Sequence, residues 1–272
     1  MNYRHAYHAG NFADCFKHAL LLALLDSLGR KPTPYFVLDT HAGAGWYDLD
    51  AEPGRRTSEA DLGIRRLLHA RSPELVRYLG LVKELGLYPG SPALIRAVMR
   101  STDRLACCEL HPEDAFALKR RCRDDRRIEM HRRSGWEAIG GLLPPKEGRG
   151  LVFIDPPFEA GDEFERLCEG LRRGHRRFGA GVFAAWYPIK HLAAVRTFYT
   201  GLKDSGIRGI VAAELHLRNA MAFDNLNACG FVVINPPYQF SDKALAIANA
   251  LSQELGDQSS DSRADVVLLA HE

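Results

Sequence analysis

The chain carries little net charge and lacks long apolar runs, paired-cysteine motifs and a phosphate-cradling glycine loop. Each absence removes a class of function. A formal net charge of only +2 means that bulk electrostatics does not announce a nucleic-acid partner. The apolar stretch Ala19 to Leu25, bracketed by Lys17, His18 and Asp26, is far shorter than the roughly 20 residues a bilayer requires. It reads as a buried helix stopped by Gly29 and Pro32. The six cysteines, Cys15, Cys107, Cys108, Cys122, Cys168 and Cys229, form no Cys-x-x-Cys pair and no zinc-type spacing. With no recognisable signal peptide, reduced thiols in a cytoplasmic setting are expected. Among the eleven histidines, His5, His8 and His18 have no neighbouring Cys or Glu at ligand spacing, so no metal is expected. Gly43 and Gly45 follow a strand, but a dinucleotide fingerprint needs a third glycine where Asp48 stands. There is also no Gly-Lys-Ser/Thr loop, so neither pyrophosphate nor triphosphate has a cradle.

With 272 residues, 46% of them hydrophobic, the chain can bury one large core. Strand-like runs at 35–39, 105–109, 128–131, 151–155, 181–186, 209–215 and 231–234 alternate with helical stretches at 113–123, 162–178 and 192–202. Alternation of this kind predicts a mostly parallel sheet covered on both faces. The last two of these strands are joined by the short segment 218–230 and should pair antiparallel. Five parallel strands ending in an antiparallel hairpin predict an α/β, Rossmann-like, seven-stranded sheet of the class I S-adenosylmethionine-dependent methyltransferase type. About sixty residues separate Gly45 from Leu105, where a βαβ unit of roughly 30 suffices. Residues 47–89 therefore read as a small inserted helical subdomain, leaving 1–46 and 90–272 as the main domain. The polar stretch 253–263 reads as a mobile loop, and 266–270 as a short final strand.

The most informative motif is Leu151-Val152-Phe153-Ile154-Asp155-Pro156-Pro157-Phe158. An apolar strand delivers a carboxylate, two prolines and an aromatic ring to one place. Asp155 and the Pro156 carbonyl can accept both hydrogens of a base's exocyclic amine, while Phe158 covers the ring face. In a loop the same residues are ordinary turn chemistry, so context decides. The context is a small-residue loop after Asp39, through Gly43 and Gly45, which suits a phosphate-free nucleoside cofactor. Glu109 ends the next strand, where a carboxylate can accept from two ribose hydroxyls. All three features fall, in order, at the carboxyl edge of one parallel sheet. A competing motif, Asn235-Pro236-Pro237-Tyr238, follows the strand expected to be antiparallel. That places it at the opposite edge, and Asn235 is read as a structural turn. Basic clusters at 119–121, 126–127, 132–133 and 172–177 could track phosphates, or could be solvated helix faces.

Residues 3–18, rich in polar and aromatic groups, precede the buried helix. Asn11 could cap that helix, and Lys17 and His18 would lie one to two turns in, able to meet a carboxylate. This stretch supplies the remaining evidence. The pattern Tyr-Arg-His at 3–5, His-Ala-Gly-Asn at 8–11, Ala-Asp at 13–14 and Lys-His at 17–18 resembles the RlmJ-type ribosomal RNA methyltransferases. The resemblance continues through Leu-Asp-Thr-His-Ala-Gly-Ala-Gly at 38–45, Tyr-Pro-Gly-Ser-Pro at 88–92 and Glu-Leu-His-Pro at 109–112. It ends with Ile-Asp-Pro-Pro-Phe at 154–158, Trp-Tyr-Pro at 186–188 and Ile-Asn-Pro-Pro at 234–237. It implies S-adenosylmethionine as cofactor, giving S-adenosylhomocysteine as product. It also implies a cytoplasmic enzyme, with no membrane association and no obligate protein partner, that methylates N6 of an adenine in 23S rRNA. The RNA would be naked or an early assembly intermediate, and the enzyme a monomer. Cofactor contacts are implied at His18, His41, Gly43, Ser91, Glu109, Ser134, Gly135 and Asp155. Substrate contacts are implied at Tyr3, His5, Lys17, Pro156 and Phe158, with Asp155 catalytic. Two positions depart from the family pattern: Phe158 replaces the usual Tyr, and Ser134 replaces an Asp. Adenine methylation in DNA, glutamine methylation in protein and a non-catalytic, cofactor-dependent RNA-binding module remain as rival readings.

Overall fold

The computed structural model describes residues 5–51, 59–218, 226–256 and 262–271. Its first helix, α1 (Phe12–Gly29), starts where Asn11 caps it, the side-chain oxygen accepting from the Asp14 amide at 2.9 Å. Leucines and alanines surround its axis, so nearly the whole helix is buried, as a helix that is apolar on every side must be.

Strands β1 (Phe36–Asp39), β4 (Arg104–Cys108), β5 (Ile128–His131), β6 (Gly150–Ile154) and β7 (Val182–Pro188) run parallel. β8 (Ile210–His216) and β9 (Ala228–Ile234) form the antiparallel pair, with β9 also antiparallel to β7. An eighth strand, β10 (Arg263–Ala270), joins the edge antiparallel to β8, giving the order β10-β8-β9-β7-β6-β1-β4-β5. The sheet thus has eight strands rather than seven, because the final strand expected at 266–270 joins it and starts earlier, at Arg263.

Order reverses between β1 and β6, so the parallel strands open a crevice at their carboxyl ends there. One face of the sheet is covered by α1, by α5 (Ser91–Val98) and by α10 (Phe240–Leu255). The other is covered by α7 (Gly135–Gly141), α8 (Glu163–Arg177) and α9 (Leu192–Lys203). Helix α6 (Pro112–Cys122) links β4 to β5. The helix α10 runs through Leu255 into the stretch read as a loop, of which 257–261 lie outside the described residues.

A two-stranded ribbon of β2 (Trp46–Tyr47) and β3 (Tyr88–Pro89) pinches the chain at both ends of the long excursion. Between them lie α2 (Glu59–Leu62), α3 (Ile64–Leu67) and α4 (Val76–Leu85). Their apolar residues, among them Ile64, Leu67 and Tyr78, belong to the same buried cluster as α1. The site's N-terminal side chains are therefore packed against both the sheet and the excursion.

Candidate active site

At the carboxyl ends of β1, β4, β5, β6 and β7 the chain encloses a cavity of about 750 Å³. It is lined by every cofactor- and substrate-contact residue implied by the resemblance except Tyr3, which lies outside the described residues. Within it are two chemically different halves.

The half over β1, β4 and β5 centres on Glu109. Its carboxylate accepts from the Gly43 amide at 2.8 Å and the His111 amide at 2.7 Å. Two backbone donors fix the group, and the lone pairs they leave can take further donors. Burial raises its pKa, and the two amides oppose the rise. Ser134 precedes α7 without using its side chain as a cap. Gly135 presses on the loop after β1: a Cβ there would sit 2.1 Å from the Thr40 carbonyl oxygen, so only glycine fits. His41 bonds Thr40 at 2.8 Å and meets Trp136 edge-on at 5.1 Å. Behind this half lies Asp39, fully buried, with neither carboxylate oxygen closing a hydrogen bond among the described residues. Burial pushes its pKa up to about 7; the charge of Asp155 adds to the rise, while Ser91 and the His41 amide face it and oppose the rise without completing a bond.

The other half is built on β6, β7 and α1. Asp155 follows β6, and its Oδ2 accepts from Lys17 Nζ at 2.5 Å across 138 positions of sequence. The same ammonium meets Asp14 Oδ1 at 2.7 Å, and the pair lies one turn apart on α1. Asp14 Oδ2 in turn takes the Gly10 amide at 2.9 Å and His5 Nε2 at 3.0 Å. Burial alone would raise the Asp14 pKa, but His5 and Lys17 outweigh it and hold the carboxyl well below the usual range. Asp14 is the hub that sequence reading left without a role, although it stood inside the recognised pattern. Its partners run from His5, nine positions before it, to Lys17, three after it, so spacing alone does not reveal them.

Among the described residues His18 meets no carboxylate. Its Nδ1 pairs with the Tyr88 hydroxyl at 3.2 Å, which is 3.0 Å from the Tyr78 hydroxyl. Burial lowers its pKa to about 3, so the ring is neutral near pH 7. Pro156 is buried; Phe158 is half-buried and adopts φ 51°, a left-handed conformation costly for a side chain of this size. Its ring meets Trp186 edge-on at 5.8 Å and Phe164 at 5.0 Å. Trp186, on β7, also receives the Lys17 ammonium 5.7 Å from a ring centroid. A flat ring entering here would find apolar edges beside a carboxylate held by a cation.

Asn235 lies elsewhere. β9 pairs with β7 so that Ile234 sits opposite Phe183, near the start of β7. The Asn235 side chain donates to the Gly179 and Gly181 carbonyls, both at 2.8 Å, which makes it a turn residue at the far edge. Among the described residues, one group of acids and histidine has ligand-like spacing, Glu214, His216 and Asp265. It does not line the cavity, and Arg263 reaches into it, 2.9 Å from Asp265 and 3.5 Å from His216.

Known proteins resemble this chain over most of its length. Residues 32–267 match the family described as RsmJ, ribosomal RNA large subunit methyltransferase D, RlmJ. The ribosomal RNA large subunit methyltransferase J of Haemophilus influenzae is 36% identical over 264 residues, covering 94% of each chain. The Escherichia coli protein of the same name is 36% identical over 251 residues, covering 89% of this chain and 90% of its own. A crystal structure of a Legionella pneumophila protein, 31% identical, superposes with a TM-score of 0.88 over 96% of this chain and 98% of that one. By the extent of these matches, the chain belongs to the RlmJ family of large-subunit ribosomal RNA methyltransferases.

Proposed function

We propose that this protein transfers a methyl group from S-adenosylmethionine to the N6 amine of an adenine in 23S ribosomal RNA. The observation that carries the reading is the Lys17–Asp155 contact inside a cavity that also holds Phe158, Trp186 and Glu109. Family membership supports RNA as the substrate class. The donor set fits the cofactor: Glu109 suits ribose hydroxyls, and the loop after Asp39, with no phosphate cradle, suits a nucleoside lacking phosphate. His18, His41, Gly43, Ser91, Ser134 and Gly135 would complete its surroundings. When bound there, the cofactor supplies an electrophilic methyl on a sulfonium.

The chain's own residues supply orientation. Lys17 occupies Oδ2 of Asp155, so Oδ1 remains for one amine hydrogen of the base, and the Pro156 carbonyl takes the other. Accepting both hydrogens favours a pyramidal nitrogen with its lone pair aimed at the methyl group. The proton can leave late, through Asp155 toward the cavity mouth. Aligning reactants in this way can remove roughly 7–11 kcal/mol of barrier, against a few kcal/mol to unstack the base. Lys17 and His5 act on the substrate side, with Asp14 holding both in place. The reading extends to a cytoplasmic, metal-free monomer acting on naked or early-assembly rRNA, with 47–89 as an insertion that braces the N-terminal motif.

The test is methyl incorporation into matched 23S rRNA and DNA of the same sequence, with the modified base mapped. Asp155→Ala should abolish transfer and leave cofactor binding nearly intact. Normal turnover in that variant, or a preference for DNA, would refute the assignment.

A further inference from the structure

Strand order lays the cavity residues along the sheet's rim in a fixed sequence. Ser134 follows β5, Glu109 follows β4, Gly43 follows β1 and Asp155 follows β6. Beyond Asp155, on the side away from Glu109, come Lys190 after β7 and Arg218 after β8. β8 and β7 both run antiparallel to β9, so both strands end at the same rim. They flank the start of β9: the Ile189 amide bonds the Ala228 carbonyl at 2.9 Å, and the Leu217 amide bonds the Asn227 carbonyl at 3.0 Å. With β9 between them, the two cations emerge roughly 10 Å apart, two strand spacings. Lys190 is exposed and has no ion-pair partner among the described residues.

We infer that Lys190 and Arg218 form the phosphate-binding lip of the cavity, over which the RNA strand carrying the target base is drawn. This inference rests on the proposed RNA-methylating reading. The cofactor half takes the β5–β4–β1 side, so a base gripped at Asp155 must trail its backbone over the β7–β8 side, where these cations stand. Arg166, also at the cavity, is tied to Asp162 at 2.8 Å, and Glu159 makes the β6–α8 side less suited to phosphate. The conspicuous basic runs, 119–121, 126–127, 132–133 and 172–177, do not line the cavity. Arg176 lies about 20 Å along α8 from Glu163, at the 1.5 Å rise of a helix, and pairs with Glu169 at 3.2 Å. Arg177 donates to the Leu143 carbonyl at 2.9 Å, and Arg127 pairs with Asp125 at 2.6 Å.

The experiment measures KM for 23S rRNA, kcat, cofactor affinity and the salt dependence of RNA binding for Lys190→Ala, Arg218→Ala and the double variant. Each contact to single-stranded RNA contributes about 0.7 to the slope of log K against log salt, hence about fourfold in affinity near 0.15 M. Each single variant should raise KM about fourfold at unchanged kcat and cofactor affinity, and lower the slope by about 0.7. The double variant should lose about fifteenfold. Lys190→Glu should weaken binding further, whereas Arg172→Ala with Arg176→Ala should change neither quantity. Unchanged KM and slope in the lip variants, or a slope reduced only by the α8 variants, would overturn the inference. Failure of the wild-type protein to methylate RNA would instead remove the reading beneath it.

Discussion

Gly63→Ala should reduce catalysis by about two orders of magnitude while sparing cofactor binding. Gly63 lies between α2 and α3, against the chain segment that leads into α1. A Cβ there would stand 2.2 Å from the Gly10 carbonyl oxygen, 2.8 Å from the Asn11 carbonyl carbon and 2.9 Å from the Asn11 Cα. All three are backbone atoms, so no side chain can rotate away. Ordinary contact begins near 3.4 Å, which requires the two segments to separate by about 1.2 Å. The hydrogen bond from the Ile64 amide to the Gly10 carbonyl, 2.8 Å long, would then be lost. Overpacking costs roughly 1–3 kcal/mol and the buried bond about 1 kcal/mol more. The displacement passes directly to Asn11, Asp14 and Lys17, hence to Asp155. A shift of about 1 Å at a positioned group costs around 10²-fold in rate. Urea unfolding, single-turnover methylation and calorimetric cofactor titration separate these effects. Gly80→Ala is the control, since nothing lies within 4 Å of its Cβ; it should stabilise α4 by about 0.5–1 kcal/mol. Wild-type turnover in Gly63→Ala, or cofactor affinity falling as steeply as the rate, would show that the insertion does not brace the catalytic carboxylate.

Two further outcomes follow from groups outside that contact. Asn235→Ala should lower stability by about 2–3 kcal/mol through two lost hydrogen bonds and a left-handed backbone at φ 53°, with kcat unchanged at 25 °C; a methylation defect matching that of Asp155→Ala would place the chemistry at the wrong edge in this account. His18 is held neutral in the fold at a pKa of about 3, against an ordinary 6.5. The unfolded chain therefore takes up the proton first, and stability falls as pH drops below 6.5. Between pH 7.5 and 5.5 the loss is about 1.4 kcal/mol. His18→Gln should show a pH dependence shallower by that amount in urea titrations at the two values, and an identical slope would contradict the burial of a neutral ring.

Local chemistry made several features readable in one dimension. The β6 motif was legible because Gly150–Ile154 is buried throughout, and a strand buried on both faces needs an unbroken apolar run ending in an abrupt polar signal. Asn11 announced itself because capping acts within three residues. The edge at which Asn235 falls followed from strand direction alone, once a short link implied an antiparallel pair.

Long-range contacts were not readable in this way. Lys17 and Asp155 are 138 positions apart, and each by itself is an ordinary charged residue. The roles of Asp14, Trp186, Lys190 and Arg218 depend on which strand ends lie beside one another. The basic runs that stand out in sequence do not line the cavity, whereas Lys190 and Arg218, single cations in the sequence, both do. Periodicity and turn residues report interactions over a few positions, and so they determined the strand-and-helix order of this protein and the edge where its candidate site lies. Charge pairing and packing act through space, so only the folded sheet order decided which side chains meet there.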